Sequence, residues 1–279
     1  MLKKAYLEIT DVCNLNCSFC RGATREKGFL SVDRFRIAAE KLRPFTEYLY
    51  LHLMGEPLLH PRLDEILAVC AQLGFKAVVT TNGVLLPEKA ALLAKAPALY
   101  KASVSLHSFE GSGGQPGELL ERYLNGVCEA VKPLARRGVI VALRLWNGGG
   151  ADRCNGEILR LLHDRFPGEW RDHRAGHTLA PGVYLEYGDR FDWPDLTAGE
   201  KDVCFCMGLR DQIGVLYDGT VVPCCLDADG AIPLGNLFTD DLGDILASPR
   251  AKAIYDGFSR GSAVEALCRR CGYAERFSR

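Results

Sequence analysis

Cys13, Cys17 and Cys20 stand on one short stretch in the spacing CxxxCxxC, and Cys204, Cys206, Cys224, Cys225, Cys268 and Cys271 gather toward the other end of the chain. Nine of the twelve cysteines therefore fall in two groups. Disulfides do not persist in a reducing compartment, where grouped thiols bind metal or do chemistry instead. Three thiolates on one loop can close on a single metal centre, and soft thiolate ligands suit both iron-sulfur clusters and zinc. A closed zinc site needs a fourth ligand, for which His52 and His60 are the nearest later candidates. In the second group, Cys206, Gly219 and Cys224 have the spacing CX12GX4C, and Cys268-Arg269-Arg270-Cys271 closes the chain. These are more ligands than one centre needs, and a zinc ribbon built on two separated pairs is the alternative. Cys70 and Cys128 occupy apolar helical positions and are expected in the core, whereas Cys154 lies in a Gly-rich loop and is a candidate for function.

Thiols so far apart in sequence need a rigid frame to place them. Strands are predicted at 5–9, 48–53, 76–80, 101–106, 139–144 and 183–186 from their apolar alternation or runs. Helices are predicted between them at 32–42, 62–73, 87–94, 118–136 and 156–165, with Ser31 as an N-cap, Pro87 at a first position, and Gly74 and Gly138 as stops. Strands separated by helices call for parallel pairing with right-handed crossovers. The expected fold is α/β, a partial (β/α)6 TIM-like barrel over 1–190, followed by a small α+β unit over 191–279. In that unit 212–222 reads as two short strands joined at Asp218-Gly219. Function in such barrels collects at the carboxyl ends of the strands, where the first cysteine loop would sit.

The CxxxCxxC run, with Phe19 before its last cysteine and a strand before its first, resembles the radical S-adenosylmethionine (SAM) superfamily over roughly residues 5–190. The resemblance implies that Cys13, Cys17 and Cys20 ligate three irons of a 4Fe-4S cluster, while SAM chelates the fourth through its amino and carboxylate groups. Met54-Gly55-Glu56-Pro57 is similar to the family's GGEP motif, with Met54 in place of the first glycine, which implies that Gly55, Glu56 and Pro57 orient the methionyl amino group. By the same similarity Thr80, Asn82, Ser105 and Arg144, at the ends of the third, fourth and fifth strands, surround the ribose and carboxylate. Arg144 suits the carboxylate because its fork binds in a bidentate way. The second cysteine group resembles the SPASM extension. Only one CxxC pair follows, as in the shorter variant called twitch, which implies one auxiliary 4Fe-4S cluster held by Cys206, Cys224, Cys268 and Cys271. Cys204 and Cys225 could each replace a neighbour as ligand.

The activity that this resemblance implies is reductive cleavage of SAM to a 5'-deoxyadenosyl radical, hydrogen abstraction from a substrate, and net oxidation or cross-linking of a peptide or protein. A dehydrogenase or epimerase acting on a small metabolite is the second expectation, and a non-catalytic zinc-binding protein the third. Cys204 and Cys225 are candidate hydrogen donors, Cys154 a candidate for an unspecified catalytic role, and Glu186, Asp189 and Asp192 candidate acids or bases. A reducing donor such as flavodoxin or ferredoxin is expected as partner. The net charge of -1 and pI near 6.6 give no footprint for nucleic acid. No apolar run reaches the roughly 18 residues that span a bilayer. The start Met1-Leu2-Lys3-Lys4 leads into a strand rather than a signal-peptide core, so the expectation is a cytoplasmic protein. No N-terminal peptide-recognition segment is seen, so a peptide would be recognised by the barrel or by a partner.

Overall fold

Strand and helix signals alternate along the chain, and the computed structural model, which describes residues 1–277, follows them: β1 (Lys4–Leu7), α1 (Val32–Leu42), β2 (Tyr48–Tyr50), α2 (Leu63–Gln72), β3 (Lys76–Thr81), α3 (Leu86–Lys95), β4 (Leu99–Ser105), α4 (Ser108–Gly111), α5 (Glu118–Arg136), β5 (Ile140–Gly148) and α6 (Asn155–Arg165). Then come β6 (Arg171–His173), β7 (Gly176–Ala180), β8 (Val183–Asp189), β9 (Gln212–Val215), β10 (Thr220–Val222), β11 (Gly235–Asn236), α7 (Leu242–Ala247) and α8 (Pro249–Ser259). Strands β1, β2, β3, β4, β5 and β8 lie side by side in that order, all parallel, as the six-unit partial barrel requires. Among the described residues no helix is long and apolar enough to cross a membrane.

Local chemistry sets the element ends. The Ser31 side chain accepts from the Arg34 amide at the start of α1. Gly74, at φ +71, takes the left-handed position after α2 that a side chain resists. On α5, Leu120, Leu124, Val127, Val131 and Leu134 recur at helical spacing and are all buried against the sheet side. The pleat divides β1: Ala5 and Leu7 enter the main core, while Lys4 and Tyr6 face the barrel interior.

Two features depart from the expected layout. A hairpin, β6–β7, is inserted before the sixth barrel strand and pairs antiparallel with β8. Its strand Arg171–His173 is wholly exposed and polar, so it has no alternation to read. The β9–β10 hairpin turns at Asp218-Gly219 as expected, but β9 continues the barrel sheet, pairing parallel with β1 from Lys4↔Gln212 to Leu7↔Val215. The second cysteine group is thereby brought beside the first strand.

Candidate functional site

The loop between β1 and α1 is closed on itself by polar side chains. Thr10 Oγ1 donates to the Gly28 carbonyl at 2.8 Å, and Asp11 Oδ1 accepts from the Gly28 amide at 2.9 Å. Farther along, the Ser18 amide donates to the Gly111 carbonyl of α4 at 2.8 Å and the Cys17 thiol to Ser108 O at 3.6 Å. The Phe19 ring takes the space that a Cβ on Gly111 would occupy, only 2.3 Å from it. Cys13, Cys17 and Cys20 are thus held at one barrel mouth. Burial pushes the Cys17 thiol up to about 11, with Cys20 and Cys13 adding to the rise, and burial also raises Cys20. Such thiols stay protonated until a cation takes them as thiolates.

Among the described residues neither later histidine is placed to join the three thiols on one ion. His60 has both ring nitrogens occupied, by Leu30 O at 2.9 Å and the Arg62 amide at 3.1 Å, and His52 lies inside the barrel. Among the described residues no three Cys, His, Asp or Glu side chains are grouped tightly enough for one ion. An iron-sulfur core places its thiolates on separate irons and spaces them more widely.

Gly55 sits at φ +73 with its missing Cβ 2.4 Å from the Thr10 carbonyl, so the turn after β2 lies directly on the cysteine loop. The Glu56 amide donates to Val12 O at 2.8 Å. Its buried carboxylate accepts from the Leu58 amide at 3.0 Å and the Asn82 amide at 2.7 Å, tying the turn to the end of β3. Pro57 opens the short 3-10 turn that follows. Asn82 Nδ2 donates to Asn14 Oδ1 at 2.8 Å and lies 4.0 Å from Cys13 Sγ.

From Ser18 and Phe19 a cavity of about 350 Å³ runs down the barrel to Lys4 and Tyr6. Thr80, Ser105 and Arg144 line it as their positions at strand ends predict. Thr80 Oγ1 and His52 Nδ1 are buried with no hydrogen-bond partner in the protein, the condition of atoms that a bound polar group would satisfy. Arg144 Nε donates to Glu186 Oε2 at 3.2 Å and Lys101 Nζ to Glu186 Oε1 at 3.0 Å. Burial raises the Glu186 pKa, but Lys101 and Arg144 outweigh it and hold the group below the usual carboxylate range. Glu186 is thereby the shared counter-charge of Lys101 and Arg144. Asp189 and Asp192 do not line the cavity. Nor does Cys154, which is 1% exposed, with its thiol 4.0 Å from Gly114 O and its amide bound to Glu110. Cys70 and Cys128 are fully buried core residues.

His52 yields a pH effect of definite sign. Burial first, then the Arg144 and Lys4 charges, lower its pKa from 6.5 to about 3. Between those values the unfolded chain binds a proton that the folded one refuses, so stability falls as pH drops below 6.5, by up to about 1.4 kcal/mol per pH unit. Urea unfolding of wild type and His52→Asn between pH 7 and 5 should show a shallower acid loss in the variant; parallel curves would refute it.

Cys206, Cys224, Cys268 and Cys271 line one small cavity, with Asp227, Phe258 and Leu267 in its wall. Burial, then Cys225, Cys206, Cys268 and Cys271, drive the Cys224 pKa well up, and burial raises Cys271 to about 11. The adjacent Cys225 faces the other way, into the barrel cavity, within hydrogen-bond reach of the Tyr6 hydroxyl. Cys204 lines neither cavity.

The two cysteine regions are latched together by residues that the sequence reading missed. Arg25 Nη2 donates to both oxygens of Glu8, at 3.0 and 2.9 Å, and Arg25 Nε to Ala228 O at 2.8 Å. Asp229 accepts from the Thr24 amide at 2.7 Å and from Arg21 at 2.9 Å, and Arg21 also reaches Pro194 O. The available signal was Glu8, a carboxylate in the apolar run of the first strand.

Comparison with known proteins agrees with this geometry. The family model described as the radical SAM superfamily matches residues 7–162, and SPASM, described as an iron-sulfur cluster-binding domain, matches 204–272. A probable GTP 3',8-cyclase of Aeropyrum pernix is 36% identical over 190 residues, covering 64% of this chain and 48% of that protein. The chain spans about half the length, or less, of the curated relatives it matches. Among solved structures, Streptococcus suis SuiB superimposes with a TM-score of 0.65 at 15% identity, covering 100% of this chain and 74% of that one. BtrN in complex with AdoMet and 2-DOIA gives 0.57 at 17% identity, with 97% and 93% covered. Both likenesses concern the fold.

Proposed function

This chain belongs to the radical SAM superfamily and carries a SPASM iron-sulfur domain, and from that premise we propose that it removes a hydrogen atom from a peptide or protein residue placed in the barrel cavity, completing a net oxidation or cross-link. Membership makes it an enzyme with a 4Fe-4S cluster, SAM and an auxiliary cluster, dependent on a reductant. Flavodoxin or ferredoxin fits the last need. In this reading 1–190 form the SAM-cleaving unit and 191–279 the auxiliary unit.

One observation carries the proposal: the cavity wall includes Ser18 and Phe19, between two cysteines of the first group, and Cys225, next to Cys224 of the second. A substrate held there lies between both cysteine sets. When bound, the cofactors supply one-electron chemistry, reductive cleavage of SAM and acceptance of the electron left on the substrate. The protein's own residues hold and shield. Cys13, Cys17 and Cys20 hold the first cluster, and Cys206, Cys224, Cys268 and Cys271 the second. Gly55, Glu56 and Pro57 fix the turn against the first cluster's loop, while Thr80, Asn82, Ser105 and Arg144 receive the polar parts of SAM. Trp146, Phe191, Trp193 and Tyr273 line the cavity and exclude water. Their flat faces also suit a peptide segment. A small metabolite is the second reading, favoured by the depth at which the cavity ends on Lys4.

Cys224→Ala tests the division of labour. Iron should fall from about eight to about four per chain, with 5'-deoxyadenosine still formed and oxidised product lost. Unchanged product yield at halved iron would remove the auxiliary site from the reaction.

A further inference from the structure

Three cations line the barrel cavity, Lys4, Arg144 and Arg190, and no carboxylate does. Arg144 has a counter-ion in Glu186, which it shares with Lys101. Among the described residues Lys4 and Arg190 form no ion pair. The Lys4 ammonium instead lies against the Tyr6 and Tyr50 rings, 5.2 and 5.1 Å from their centroids. Arg190 follows the end of β8 and is exposed, so Lys4 is the half-buried cation of this wall without an ion pair among the described residues.

Desolvated charge is expensive unless an opposite charge meets it. The strain is visible at Lys4, where burial lowers the pKa, with Arg144 and Lys101 adding to the fall and Cys225 and Asp211 opposing it. Lys4 also stands at a defined depth. It is the first residue of β1, whose far end leads to the cysteine loop, so it lies at the end of the cavity remote from Cys13, Cys17 and Cys20. Gln212, its register partner on β9, adds a neutral amide to the same wall. The carboxylate of SAM is assigned above to Arg144, nearer the strand ends, which leaves Lys4 for another ligand.

We infer that the inner end of the cavity is an anion subsite in which Lys4 receives a carboxylate or phosphate borne by the substrate. The inference rests on the reading that this cavity holds the substrate. It restricts that substrate to an acidic one: a peptide with an acidic side chain or free carboxyl end, or a phosphorylated compound.

Calorimetry on the anaerobically reconstituted holoenzyme, saturated with SAM, tests this without turnover. The probes are N-acetylglutamate amide, inorganic phosphate and, as a control, N-acetyl-lysine amide. At least one anionic probe should bind and the cationic control should not; which anion binds identifies carboxylate or phosphate as the source. Affinity for it should fall at least about tenfold in Lys4→Gln, Lys4→Arg should restore most of it, and Arg190→Gln, at the strand ends, should leave it unchanged. If Lys4→Gln does not fold, Lys4→Met and Lys4→Arg still decide. Absence of binding by both anions, undiminished binding in Lys4→Gln or Lys4→Met, an equal loss in Arg190→Gln, or equal binding of the lysine probe would each overturn the inference. Failure here leaves 5'-deoxyadenosine formation intact, whereas failure of the radical reading abolishes that and leaves anion binding.

Discussion

Replacing Cys17 by alanine is expected to abolish 5'-deoxyadenosine formation and to lower reconstituted iron from about eight to about four per chain. Cys17 is the middle thiol of the first group and the one most firmly placed, with its Sγ directed to Ser108 O and the next residue bonded to Gly111 O. No other cysteine is positioned to replace it: Cys154, the nearest in the fold to α4, is buried and packed against Gly114. If Cys17 is one of three cluster ligands, as proposed, its loss leaves SAM without the iron that it would chelate, so the defect falls on cleavage itself and no excess of reductant restores it. Anaerobic assay of 5'-deoxyadenosine with dithionite, alongside iron and sulfide analysis, checks both parts. Residual cleavage above about one part in a thousand of wild type, a barrier change of about 4 kcal/mol, would mean that Cys17 is not a ligand.

The grouping of Cys13, Cys17 and Cys20 was legible in the sequence because they share one short loop, and the barrel was legible because parallel strands and helices alternate with clear stops such as Gly74 and Gly138. What depends on tertiary placement was not. The spacing left Cys224 and Cys225 interchangeable, and only the fold turns the first toward Cys206, Cys268 and Cys271 and the second toward Tyr6. Glu186 stood at a strand end like a catalytic acid, but Lys101, two strands away, and Arg144, on the neighbouring strand, neutralise it. Lys4 precedes the first strand predicted at 5–9, and nothing in its spacing marks it. Its place inside the barrel follows from the pleat of β1 and from β9 joining that strand, neither of which local pattern reveals.

The same limit hid Arg25, whose replacement should be the most destabilising single change outside the cysteines. Its partner Glu8 is fully buried, and Arg25 itself is 14% exposed at the side chain. Burial raises the Glu8 pKa, with Arg25 the largest opposing influence and the Tyr217 and Met54 amides assisting. Arg25→Ala removes that cation and leaves a carboxylate enclosed, at a cost of about 3–5 kcal/mol. The sign with pH follows: raising the folded pKa of Glu8 further means that the native state keeps a proton the unfolded chain has released. The penalty therefore grows as pH rises from the ordinary carboxylate value of 4.5 toward neutrality. Urea unfolding at pH 5 and 7.5 should show the larger loss at the higher pH. A paired replacement, Glu8→Gln with Arg25→Met, removes that charge pair and should recover part of the loss, the remainder lying in the buried Asp11 carboxylate, which stands 3.8 Å from Arg25 Nη1 and keeps no cation. Because Arg25 also holds Ala228 O, and its neighbours Thr24 and Arg21 hold Asp229, the loop after Cys20 and the loop after Cys225 should loosen together. Hydrogen exchange would report that as faster amide exchange in both 21–25 and 226–229. A loss under about 1 kcal/mol, within the range of an exposed pair, or loosening confined to one loop, would show that Glu8 and Arg25 do not join the two cysteine regions.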